Sequence, residues 1–302
     1  MRDSMTIHEE EFENALELIN FLSPLNKTQW SRSHIFRGQP CASFVLAPSA
    51  LRTKGAMAAE QIVGRNLGGD IRQAHYELSL LDAFMKGCDA SGIAVPSDSV
   101  AIRDRIKELS FQDALAAFQK DDFEWPVEEL LPLLATAQHH GVPTCLLDWT
   151  KRSYVAAYFA CSAALEAMHF VTLSGRLAVW ALDISDSRSW ESVKYLEMPG
   201  SASANLAAQA GVFTVTTLAA SYGGGQESVS LENLSDIQRS SAEKPVLTKC
   251  TLPITEAPKL LSLCDEFGVK GSTLFPGYEG VAREVRDRAF AGEFHKEPWL
   301  NR

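Results

Sequence analysis

The stretch from Ala137 to Thr150, AQHHGVPTCLLDWT, constrains this chain more than any other. It sets a helix end, a backbone break and a buried strand in direct succession. The run before it has Pro126 at a helix start and Glu128 and Glu129 in the first turn. Val127, Leu130, Leu131 and Leu134 share one face, which predicts a helix ending at Gln138-His139-His140. Gly141 stops that helix and Pro143 prevents it from resuming. Cys145 to Trp149 is then apolar except for Asp148, as expected of a buried strand. A carboxylate in such a run must be paired, hydrogen-bonded or protonated. Ser153 can cap the next helix, whose alanines favour close packing against a sheet.

Arg37 is the natural partner for Asp148. It follows the short β-type run His34-Ile35-Phe36, and Gly38 next to it permits a sharp turn after the strand. A guanidinium fixed in this way can grip a phosphate or carboxylate bidentately, or simply tie two strands together through Asp148. His139 can donate to a ligand, carry a proton or cap its own helix. Gln209 precedes Gly211, where backbone can approach a ligand closely. Trp149 and Phe159 are expected in the core, and the thiol of Cys145, in an apolar strand, disfavours its thiolate.

Elsewhere, Thr6 and Glu9 fit a capping box for a first helix carrying Phe12, Leu16 and Ile19 and closed by Pro24. Residues 56 to 140 are expected to be helical, with Ile71, Leu78, Leu81 and Phe84 in one stripe and Ser110 and Asp113 as a cap. Strands are predicted from Arg176 to Ile184, Val212 to Thr217 and Val246 to Leu252. Residues 221 to 245 suit a mobile surface loop. Pro258 to Phe267 is a helix closed by Gly268, and a last helix begins near Glu279 with Val281 and Val285 inward. The fold class is therefore α+β: a helical N-terminal half packed on a small mixed, mostly antiparallel sheet.

The 302 residues, 46% of them hydrophobic, suffice for a full core. A formal net charge of −10 argues against a nucleic-acid partner. The acidic N-terminus has no apolar leader segment, and no stretch is apolar enough for a membrane span, so a cytoplasmic location is expected. The six cysteines stand far apart and two adjacent histidines cannot share one ion, so no metal is expected.

Three stretches resemble the FRG-domain family. They are Phe36-Arg37-Gly38-Gln39 with Leu46 to Arg52, Ala137 to Thr150 with Ala156 to Ala160, and Gln209 to Thr214 with Leu274 to Gly280. The resemblance implies a single FRG-type domain over 1–302 with a mainly helical insertion at about 56–140. Two departures stand out: the family usually has an arginine where this chain has Cys145, and another near Asn205. Both weaken an anionic-ligand site. A second likeness is to ADP-ribosyltransferases, through the Arg-Gly after an early strand and the Ala-Tyr-Phe-Ala helix. It implies an ADP-ribosyltransferase-like fold and NAD as the candidate substrate, without a metal. Arg37, His139, Asp148 and Gln209 would then be catalytic, and Arg37, Gln39, Thr150 and Tyr158 would bind NAD. On these likenesses the chain is an NAD-consuming toxin or defence effector. The alternative is a non-catalytic module of a bacterial defence or regulatory system, binding a nucleotide-like small molecule or a protein partner.

Overall fold

The computed structural model describes residues 7–52, scattered positions between 55 and 61, and then 69–95, 98–110, 125–170, 175–200, 203–216, 230–238 and 245–292. The strands are β1 (Ile7–Glu11), β2 (His34–Gln39), β3 (Leu146–Thr150), β4 (Arg176–Asp183), β5 (Val193–Leu196), β6 (Gly211–Thr216) and β7 (Leu247–Pro253). They form one seven-stranded sheet in the order β1-β7-β4-β2-β3-β6-β5. Only β1 and β7 pair in parallel. The labelled helices are α1 (Ala15–Phe21), α2 (Gly69–Ser91), α3 (Val100–Ser110), α4 (Leu131–His139) and α5 (Ser153–Phe170). They continue with α6 (Ala204–Gln209), α7 (Ser235–Gln238), α8 (Ala257–Glu266), α9 (Gly271–Leu274) and α10 (Tyr278–Phe290). The fold is thus α+β with a mixed, mostly antiparallel sheet. Among the described residues no helix is long and apolar enough to cross a membrane.

Successive strand residues face opposite sides of the sheet. On one side Phe36, Val179, Ala181 and Leu252 pack beneath α1, α5 and α8. Along that same side Leu146, Phe213 and Val215 pack beneath α2, α3 and α4. The opposite side buries Ile35, Leu147, Trp149, Trp180 and Val212 against Leu46, Leu231, Leu234 and Ile237.

Gly38 sets the closest contact in this arrangement. A Cβ there would lie 2.0 Å from the carbonyl oxygen of Ala156 and 2.6 Å from the amide nitrogen of Ala160. The helix backbone rests directly on β2, and the fully buried Ala156, Ala157 and Ala160 are small enough to permit it. Gly38 therefore lies within the strand and serves close approach, not a turn after the strand.

Other expectations also change. Ile7–Glu11 is an edge strand, not the start of a helix, because pairing with β7 and the Glu9–Lys249 contact outweigh local propensity. The helix begins later, with Asn14 accepting the Glu17 N–H. Within 56–140, α2, α3 and α4 are separate helices, and the predicted helix start at Pro126 is instead a 3-10 turn, Glu128–Leu130. Ser110 ends α3, while Asp113 lies outside the described residues, as does the side chain of Ile71. The predicted surface loop holds Leu231, Leu234 and Ile237, which close the far side of the sheet. Val281 and Val285 are 52% and 50% exposed. The inward face of α10 instead carries Gly280, pressed on the Phe275 carbonyl, and Asp287, which accepts from Tyr158 and Ser162.

A Gly38→Ala substitution should cost about 3 kcal/mol of stability, because its methyl meets rigid helix backbone and not a movable side chain. Denaturant unfolding measures this, and a change within about 0.5 kcal/mol would show that the strand and helix can separate freely.

Candidate functional site

The ladder between β2 and β3 holds a single pair, Phe36 with Thr150, whereas β2 pairs with β4 along its whole length. Beyond that pair Arg37 takes the place of ladder bonding. Alternation puts it on the side of Ile35 and Gln39, yet its Nη1 donates to the backbone carbonyl of Asp148 at 2.6 Å. The same nitrogen stands 3.7 Å from the Asp148 carboxylate. Burial pushes the Arg37 pKa down to about 10, with Asp148 opposing that shift and Arg52 adding to it. The group therefore stays charged at neutral pH. Its Nε is buried without a hydrogen-bond partner.

Asp148 is not the buried carboxylate that its apolar neighbours suggest. Its side chain is 59% exposed. Leu147 and Trp149 point into the core on one side of β3, so Asp148 points to the other, where the sheet is left open. The exposed carboxylate is nonetheless fixed. The amide nitrogen of Gln138 donates to Oδ1, and the hydroxyl of Thr144 donates to the Gln138 carbonyl oxygen.

The opening is a cleft of about 350 Å³ lying where the two cores on one side of the sheet meet. Arg37, Asp148 and Thr150 form its floor with Phe36, and Gln138 and His139 enter from the end of α4. Leu206, Gln209 and Phe213 close one wall, and Phe159, Phe275 and Arg283 the other. All four proposed catalytic residues, Arg37, His139, Asp148 and Gln209, thus line one cleft together with Thr150. Gln39 and Tyr158 do not line it. The Gln39 amide lies between Trp180 Nε1 and the Val45 carbonyl. Tyr158 is fully buried and donates to Asp287, which ties α5 to α10 and raises its pKa further.

His139 is half-buried at the last position of α4, and its Nε2 lies 2.8 Å from the Asn205 side-chain nitrogen. Burial lowers its pKa, aided by His140 and opposed by Asp148 and Glu279, so the ring is neutral at pH 7. Asn205, notable in the sequence only as a departure, is thus a direct neighbour of the site. Thr150 donates to the Gln209 carbonyl at 2.6 Å, and the Gln209 amide donates to the Leu274 carbonyl at 3.1 Å. Next to Gln209, Ala210 adopts a left-handed backbone with φ 49°, held by Lys151 N–H donating to its carbonyl. Non-glycine residues rarely take that conformation, and here it turns α6 directly into β6.

Two further groups were not anticipated. Arg283 lines the cleft from α10, its guanidinium 4.6 Å from the Phe275 ring centre and 5.9 Å from that of Phe159. The helical spacing 280, 283, 287 identifies it, but only once Gly280 and Asp287 are known to face inward. Glu77 of α2 is buried and accepts from Gln73 and from the Cys145 N–H at 2.8 and 2.9 Å. It anchors the entry to β3, and the buried thiol of Cys145 beside it is pushed well above its ordinary range by burial and by Glu77.

Residues 32–169 match the family model described as FRG domain. No curated protein and no solved structure matches the chain.

Burial raises the Glu77 pKa above its ordinary 4.5. The folded state then holds this proton more tightly than the unfolded chain does. The stability it contributes is fully present below the ordinary value and is lost as pH rises through the folded one. Glu77→Gln should therefore gain stability relative to wild type as pH increases, measured by urea unfolding from about pH 4 to about pH 8. A difference that stays constant with pH would mean that Glu77 titrates as in the unfolded chain.

Proposed function

We propose that this FRG-domain protein binds a nucleotide-like small molecule in the cleft, and that NAD is its substrate, cleaved between ribose and nicotinamide. The observation that carries this is the convergence of Arg37, His139, Asp148, Thr150 and Gln209 on one aromatic-walled cleft. Its volume, near 350 Å³, falls at the small end of ligand sites, which span roughly 300–1,000 Å³. That is room for one nucleotide half of NAD, with the remainder toward the mouth.

Asp148 is the one carboxylate among the described lining residues. As the glycosidic bond breaks, its electron pair goes to the nicotinamide ring nitrogen and positive charge develops on the ribose. Asp148 faces that charge, which a neutral amide such as Gln209 cannot balance. A water then bonds to the ribose carbon and gives its proton to the Asp148 carboxylate. The buried Arg37 guanidinium keeps Asp148 in place and presents its remaining N–H groups to an anionic or hydroxyl group of the ligand. His139, held by Asn205, supplies a neutral polar contact to a ribose hydroxyl.

The second reading, a non-catalytic binding module, draws on the engagement of Asp148 by Gln138 and Arg37 before any ligand arrives. Purified chain incubated with NAD should release nicotinamide, read by chromatography, and Asp148→Asn should lower the rate about 100-fold. Arg37→Ala should weaken binding and turnover together. Thermal stabilisation by NAD without release would support the binding module, and the absence of both at high protein concentration would end the NAD assignment.

A further inference from the structure

We infer that Arg37 and Arg283 act together as a two-guanidinium clamp for a diphosphate, which narrows the ligand class of the cleft and rests on reading that cleft as a nucleotide site. The two groups reach it from distant parts of the chain, β2 and α10. Arg283 has no hydrogen bond or ion pair among the described residues, and its Nε is buried without a partner. Among the described residues the rings of Phe275 and Phe159 hold it. Such stacking orients a guanidinium while leaving its planar N–H fork free for an anion.

The setting makes that arrangement informative. The chain has 38 acidic residues against 28 lysines and arginines, so a carboxylate partner for a cation is easily supplied. Arg283 nevertheless has none among the described residues. Asp287, four residues on, is occupied by Tyr158 and Ser162. Asp148, the cleft's own carboxylate, is taken up by Gln138 and faces Arg37. With His139 neutral, the cleft holds two fixed positive charges against one negative. One phosphate or carboxylate suffices for a single guanidinium. One guanidinium in the floor and one in a wall suit two linked anionic groups, with the attached base or sugar against the aromatic lining.

The test is calorimetric titration of the full chain with ADP, AMP, inorganic pyrophosphate and orthophosphate. ADP should bind at least about tenfold more tightly than AMP, and pyrophosphate more tightly than orthophosphate. Arg283→Gln should reduce ADP to the AMP level while AMP changes little. Arg283→Lys, which keeps the charge but loses the fork, should keep a smaller preference and serves if the glutamine variant does not fold. Equal affinities for ADP and AMP, or a preference unchanged in folded Arg283→Gln, would overturn the clamp, as would the failure of every phosphate to bind. Arg283-dependent pyrophosphate binding without NAD binding or cleavage would keep the clamp and remove NAD as the substrate. NAD cleavage with no diphosphate preference would do the reverse.

Discussion

The site depends on the contact between the backbone of β2 at Gly38 and the backbone of α5 at Ala156 and Ala160. No side chain intervenes, so the helix cannot lift without exposing the alanine face that covers Phe36, Val179 and Ala181. That contact fixes Arg37, one residue before Gly38, relative to Phe159, one residue before Ala160. The cleft is the space remaining beside this pair of elements, where the cover of α5 ends and that of α4 begins. A rigid floor of this kind is what a ligand site needs, because its polar groups pay little ordering cost when they are used.

Electrostatics then separates the floor's two charged groups by environment. Arg37 is the buried member and Asp148 the exposed one, with side chains 14% and 59% accessible. A guanidinium loses less on burial than an ammonium would, and the Asp148 carbonyl returns a hydrogen bond in place of the missing strand pairing. The ion pair itself is long and half-solvated, so it contributes modestly to stability, within the roughly 0–1 kcal/mol of exposed pairs. Its consequence is positional: Arg37 fills the interruption in the ladder and Asp148 stays available above it.

Much of this was legible from residues alone. The helix end, break and strand from Gln138 to Trp149 carry strong local punctuation in Gly141 and Pro143, and the structure follows it. Three errors share one cause. Asp148 was expected in a core, Val281 and Val285 were expected to face inward, and Ile7–Glu11 was expected in a helix. In each case the local pattern was sound and tertiary partners decided otherwise: an opening in the sheet, a glycine contact at Gly280, and a free edge on β7. Arg283 was illegible for the same reason, since only the true inward face of α10 places it in the cleft. Glu77 gave no signal because a carboxylate in a helical stripe normally faces water, and only the Cys145 amide explains its burial.

The segment matching the FRG domain, residues 32–169, holds β2, β3 and α5, and with them Arg37, His139 and Asp148. By itself it would make a poor sheet. Among its described residues two strands share one pair, and their extensive ladders are with β4 and β6, both formed by residues after 169. The same later residues bring Gln209, Phe213, Phe275 and Arg283 to the cleft. Fold and site therefore fail or stand together: the strands that complete the hydrogen bonding of β2 and β3 belong to the portion of chain that supplies most of the walls. The floor, with one cation and one anion, is shared chemistry that suits many polar ligands. On the proposed reading, selection among them falls to the walls, where an arginine stacked on phenylalanine adds a second positive charge and a second direction of approach.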